Sequence, residues 1–158
     1  MRIFTIVLVY VFFATHSFAQ NPLPSLLERL SAAPQDTNRV QLLESIAYYY
    51  KSIKPDSADL YANNALVLSE RLNYIYGIAN VNRLLGELDM DHGRMADARI
   101  RFEKALSLFE RVRNLKGIST VNNALGVWSA KQGNFKDATQ CFLKALGQGL
   151  PVRLPVCL

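Results

Sequence analysis

One stretch of this chain is followed by a near copy of itself. Tyr76-Gly77-Ile78 is answered by Lys116-Gly117-Ile118, Val81-Asn82 by Val121-Asn122, and Leu85-Gly86 by Leu125-Gly126. Gly93 is matched by Gly133 and Asp97-Ala98 by Asp137-Ala138. Phe102-Glu103-Lys104-Ala105-Leu106 is matched by Phe142-Leu143-Lys144-Ala145-Leu146, and every pair lies 40 residues apart. A fixed period in this range marks a stacked-repeat architecture, because each unit is too small to bury its apolar face except against its neighbours.

Within the period, apolar residues recur at helical spacing. Val40, Leu42, Leu43, Ile46, Ala47 and Tyr50 predict a helix from Asn38 to Ile53, stopped by Pro55. Asp56 is expected to cap the next helix, which Ala58, Leu60, Tyr61, Ala65, Leu66 and Leu68 carry to Arg71. Two more antiparallel pairs follow, Ile75 to Asp91 with Met95 to Arg113, and Lys116 to Gln132 with Phe135 to Leu146. Gly93 and Gly133 sit in their tight turns, where a helix end favours a left-handed residue. Ahead of them, Pro24 to Leu30 reads as a short helix, and Asp36 or Thr37 as the cap of the helix after it. The expected divisions are a short helix and linker at 20–36, repeats at 37–74, 75–114 and 115–147, and an irregular tail at 148–158.

This pattern resembles the tetratricopeptide repeat family, whose units are helix-turn-helix hairpins with small residues where helices cross. Gly86 and Gly126 stand at the family's first-helix glycine. Ala98 and Ala138, Phe102 and Phe142, and Ala105 and Ala145 stand at its second-helix Ala, aromatic and Ala. In the first unit Ala47 replaces the glycine, Ala58 and Ala65 match the alanines, and Ala62 replaces the aromatic. That unit also has one residue fewer between Ala47 and Ala58. Helices in contact lie about 8–10 Å apart, and only Gly or Ala permits the closer end. The resemblance implies an all-α, right-handed solenoid of three antiparallel hairpins. The long unit, with Gly-Ile at its start and Asn-Asn-Ala-Leu-Gly in its first helix, is similar to repeats in bacterial signalling proteins. There an exported array often precedes a membrane helix and a kinase, cyclase or DNA-binding output domain. The implied role is the exported sensory part of a signal-transduction protein, with a free-standing periplasmic adaptor or scaffold as the alternative.

The two ends read differently from the repeats. Arg2 followed by the uncharged run Ile3 to Ala14, with Ser17-Phe18-Ala19 placing small residues before a cut, predicts a signal peptide over 1–19 and cleavage between Ala19 and Gln20. The mature chain is then periplasmic or secreted. An uncleaved anchor is the alternative, although the strongly apolar part is short of the ~20 residues that span a bilayer. After Leu146 the helical pattern collapses into a glycine- and proline-broken apolar tail, which reads as the product of a frameshift or misplaced stop in a longer receptor. A tail docked on the third hairpin is the other reading. A membrane tether would come only from the N-terminal segment or from a missing downstream span.

Composition narrows the function classes. The formal charge of +5 becomes +4 without Arg2, and the acids and bases are interleaved rather than gathered in a basic stripe, so no nucleic-acid partner is expected. The two cysteines, Cys141 and Cys157, have neither framework number nor zinc spacing, and Cys141 reads as a small buried hydrophobe. Asp89, Asp91 and His92 read as a solvated helix end, not a metal or acid–base site. There is no nucleophile–base pair, phosphate-cradling loop or H-E-x-x-H spacing, so neither enzyme activity nor a cofactor is expected.

Binding a protein or peptide is the remaining class, since stacked hairpins present a concave surface. Counting from the glycine register, Gln41, Glu44, Tyr48 and Lys51 face the groove in unit one. Asn80, Arg83, Glu87 and Met90 do so in unit two, and Thr120, Asn123, Val127 and Ala130 in unit three. Asn side chains both donate and accept, which suits an extended peptide backbone. The family's clamp for a peptide C-terminal carboxylate needs Lys and Asn at set groove positions. Glu44 and Tyr48 occupy two of them, so that activity is not implied. Tyr48-Tyr49-Tyr50 cannot form one stacking platform, because consecutive helix positions face different ways.

Overall fold

The computed structural model describes residues 22–147 as seven α-helices with no strand among them. They are α1 (Leu23–Ala32), α2 (Thr37–Tyr50), α3 (Pro55–Arg71), α4 (Ile75–Asp91), α5 (Met95–Arg111), α6 (Leu115–Lys131) and α7 (Phe135–Ala145). The expected signal peptide at 1–19 and tail at 148–158 lie outside the described residues. Among the described residues no helix is long and apolar enough to cross a membrane.

Pairs α2/α3, α4/α5 and α6/α7 form hairpins, and α3 packs on α4 and α5 on α6 to stack them. The first helices also touch their successors, α2 with α4 and α4 with α6, whereas the second helices α3, α5 and α7 do not touch one another. Closer spacing on one side bends the array towards it, so the first helices line the inner face. The all-α hairpin solenoid expected from the 40-residue period is the fold observed.

Small residues at the crossings explain the close hairpins. Ala58, Ala65, Ala98, Ala105 and Ala138 are buried, and Phe102 is fully enclosed, while Phe142 and Ala145 on the last helix are half-buried. The core forms two clusters that share α4. Val81, Leu84, Leu85 and Leu88 join the first, which is built with α2 and α3. Ala79 and Met90 join the second, with α5, α6 and Cys141 of α7. Met90 was expected at the groove, but it is buried. Cys141 is buried as expected. The chain's other cysteine lies outside the described residues.

The turns obey one rule with two chemistries. At the end of α4, Gly93 N donates to the Met90 carbonyl and Arg94 N to that of Asp89, with Gly93 at φ +77°. The end of α6 repeats this around Gly133, at φ +78°. The ends of α3 and α5 make the same pair of bonds, but with Asn73 (φ 51°) and Arg113 (φ 53°) in the left-handed position. Helix α5 therefore stops at Arg111, short of the expected Arg113. The first hairpin departs from the rule. Helix α2 has 14 residues against 17 in α4 and α6, and its last turn closes through Lys54 N to the Tyr50 carbonyl. Asp36 caps α2 by accepting from Asn38 N and Arg39 N. Asp56, expected as the cap of α3, lies inside its first turn instead, because Pro55 begins the helix and Lys54 stands at the cap.

A groove lined by the first helices

Two first helices, α2 and α4, place polar and aromatic side chains side by side on the inner face. Gln41, Glu44, Ser45 and Tyr48 from α2 meet Tyr76, Asn80, Arg83 and Leu84 from α4 around an open cavity of about 440 Å³. This is within the size range of small ligand pockets, roughly 300–1,000 Å³. Of the groove residues expected from the sequence, Gln41, Glu44, Tyr48, Asn80 and Arg83 are brought together here. Glu87 stands one turn further along α4 and pairs with two of its neighbours. Thr120 and Asn123 on α6 are exposed but line no part of this cavity, and Thr120 Oγ1 donates to its own helix at the Lys116 carbonyl, 2.9 Å.

Charge in the groove is arranged in a chain. Lys51 Nζ lies 2.7 Å from Glu87 Oε2 and 3.7 Å from Asp91 Oδ2. Arg83 Nη1 bonds the other Glu87 oxygen, and Lys131 Nζ lies 3.7 Å from Asp91 Oδ1. Three successive first helices are thus linked by alternating charges. Glu44 stands outside this chain. No hydrogen bond or ion pair holds its carboxylate among the described residues. Burial pushes its pKa above the ordinary carboxylate value, and the charge of Arg83 opposes that shift without cancelling it.

Tyr48 is 63% exposed and Tyr76 is 40% exposed, so two phenol rings from different repeats flank the cavity. Tyr49 and Tyr50 turn elsewhere. Tyr50 stacks on Tyr61 with ring centres 5.7 Å apart, which bears out the expectation that the three tyrosines share no platform. Tyr76 rests against Tyr74 and Phe109, at 6.0 and 5.9 Å. It was not among the expected groove residues, yet it lies one turn before Asn80 in the series Tyr76, Asn80, Arg83, Glu87. Extending the same helical count backwards would have found it. Extending it forwards by four rather than three from Glu87 leads to Asp91, the groove-edge acid, instead of the buried Met90.

The expected solvated acidic end of α4 is corrected in one respect. Asp89 is only 6% exposed and is held by Arg94 and Arg101, its two oxygens accepting at 2.8 and 2.9 Å. Both arginines come from beyond the turn, so the carboxylate fastens α4 to α5. That bond and Asp89's charge raise the Arg94 pKa further. Among the described residues no group of His, Cys, Asp and Glu is placed to hold a metal ion. Trp128 packs between repeats, against the second core cluster. Its Nε1 donates to the Met95 carbonyl at 2.8 Å, and the Arg99 guanidinium lies 5.5 Å from its ring centre.

A family model described as tetratricopeptide repeat matches residues 77–147. No curated protein and no solved structure matches the chain. The matched residues hold the two near-identical units, and the first hairpin, with Ala47 in place of the glycine, lies before them. With hairpin geometry, crossing residues and family model in agreement, residues 77–147 are tetratricopeptide repeats.

Proposed function

We propose that this chain is a non-catalytic protein- or peptide-binding module whose ligand lies along the inner face between α2 and α4. The observation that carries this reading is the meeting of Glu44, Tyr48, Tyr76, Asn80 and Arg83 from two repeats around one open cavity. A catalytic site would need a nucleophile or acid–base pair, and the groove holds instead amides, phenols, a paired guanidinium and one lone carboxylate, suited to backbone and side-chain recognition. Within a cell the module belongs to the exported sensory part of a bacterial signal-transduction protein, a role supported by the leader-like residues 1–19 and the long repeat unit.

Peptide display provides the test. Random peptides selected on the chain are re-screened against a Tyr48→Ala, Arg83→Ala double variant. Selected sequences that lose binding to the variant support the groove. Sequences that bind both proteins equally place recognition elsewhere and overturn it. For the exported role, the N-terminal residue of the protein recovered from outside the cytoplasm should be Gln20.

A further inference from the structure

We propose that the cavity between α2 and α4 is a subsite for a basic side chain, Lys or Arg, of an extended peptide, with Glu44 as its counter-charge and Tyr48 and Tyr76 as its walls. The inference rests on the peptide-binding reading of the groove and names what that groove selects. Charge complementarity commits the site to a cation. Arg83 is the other charged residue lining the cavity, and its guanidinium is occupied by Glu87, which also takes Lys51. Among the described residues, Glu44 alone of the lining charges has no ion-pair partner, and it lines the cavity.

The walls suit the same guest. Exposed phenol faces attract ammonium and guanidinium groups through the ring quadrupole, and they cover the aliphatic stem of Lys or Arg. Gln41 and Asn80 also line the cavity, with amides that can donate to and accept from a peptide backbone. A half-buried carboxylate that is disfavoured as an anion gains the opposite charge when such a side chain enters, so binding relieves what burial costs. An acidic guest would meet Glu44 with no free cation to receive it. A purely apolar guest would leave the carboxylate desolvated and unpaired.

The test uses fluorescein-labelled Gly-Ser decapeptides with Lys or Arg at alternate positions, and counterparts with Glu or norleucine. Binding is read by fluorescence anisotropy. Lys and Arg peptides should bind about tenfold or more tighter than the others, and Glu44→Gln should lose about tenfold, as expected for one charge-assisted contact. Glu103→Gln, whose carboxylate is paired with Arg99 on α5, controls for bulk charge and should bind as the native chain does. Equal binding of the norleucine peptides, or undiminished binding by Glu44→Gln, overturns the cation subsite. If those peptides are nevertheless lost on Tyr48→Ala, the groove reading stands without it. Absence of binding by every peptide overturns both. Self-association of the native chain that Glu44→Gln abolishes would seat a second copy in the pocket and likewise overturn the peptide proposal.

Discussion

Gly86 on α4 faces Phe102 on α5 so closely that an added Cβ would lie 2.7 Å from Phe102 Cε1 and 3.1 Å from the Ala98 carbonyl oxygen. The relation repeats at Gly126, where the Cβ would lie 2.6 Å from Phe142 Cε1. Replacing a helical glycine with alanine ordinarily gains about 1 kcal/mol of helix propensity. Here Phe102 is fully buried and a backbone oxygen bounds the other side, so neither neighbour can give way cheaply. Overpacking costs of roughly 1–3 kcal/mol outweigh the gain. Gly86→Ala is therefore expected to lower the thermal midpoint by several degrees, and Gly126→Ala less, because Phe142 is only half-buried and can move. A midpoint raised by Gly86→Ala would mean that the hairpin is not packed this tightly.

Arg113 offers the opposite experiment. It holds φ 53° at the end of α5, the position occupied by Gly93 and Gly133 at the ends of α4 and α6. A left-handed L-residue costs roughly 1–2 kcal/mol, while glycine loses about 0.5–1 kcal/mol more chain entropy on folding. The difference favours glycine. Arg113→Gly should stabilise the chain by about 0.5–1 kcal/mol, read as a higher denaturant midpoint at unchanged slope. Asn73 in the same conformation should gain less from the same change, since Asn tolerates it better.

The stacked hairpins were legible because a 40-residue period copies packing residues as well as helices: Gly86 with Gly126, Ala98 with Ala138, Phe102 with Phe142. What escaped the sequence were features decided by the partner element. Asp89 resembles any solvated acid at a helix end until Arg94 and Arg101 are seen to reach back over the turn to it. Met90 and Asp91 are adjacent in the chain, and which of them faces the groove depends on the phase of α4 at its last turn. Arg113 carries no sign of a left-handed conformation, because the signal read at the other turns was glycine itself. Glu44, Tyr48, Asn80 and Arg83 were found by counting along each helix, but that they converge while Thr120 and Asn123 stay outside follows from the lateral packing of α2 on α4.

The ion pairs should differ in worth according to burial. Lys51 and Glu87 are 2.7 Å apart with side chains 22% and 16% exposed, whereas Lys104 and Glu70 are 3.7 Å apart and half exposed. A partly shielded contact between neighbouring side chains couples by roughly 0.5–3 kcal/mol, and exposed pairs commonly by less than about 1 kcal/mol. Double-mutant cycles by chemical denaturation should give about 1 kcal/mol for Lys51 with Glu87 and close to zero for Lys104 with Glu70. Because Glu87 also takes Arg83, the first cycle is best run in an Arg83→Ala background as well. Equal coupling in the two pairs would show that the groove chain is no more shielded than the outer surface.

Glu44 sets stability against binding. Its folded-state pKa lies above its unfolded value, because burial disfavours the anion more than Arg83 favours it. Between the two values the folded chain binds the proton and the unfolded chain does not, so stability falls as pH rises through the folded pKa. At neutral pH the carboxylate therefore weakens the fold. Below the ordinary carboxylate range both states are protonated, and the penalty disappears. Glu44→Gln keeps the shape and removes the charge, so it should raise the denaturant midpoint at pH 7, with a gain that shrinks towards zero as pH is lowered through that range. Tyr48→Phe, which leaves the charge in place, should show no such pH-dependent gain. A Glu44→Gln variant that is more stable than the native chain at pH 7 and yet binds basic peptides more weakly would tie the strain of this carboxylate to its use. A variant less stable than the native chain at every pH would mean that the carboxylate serves the fold and not a ligand.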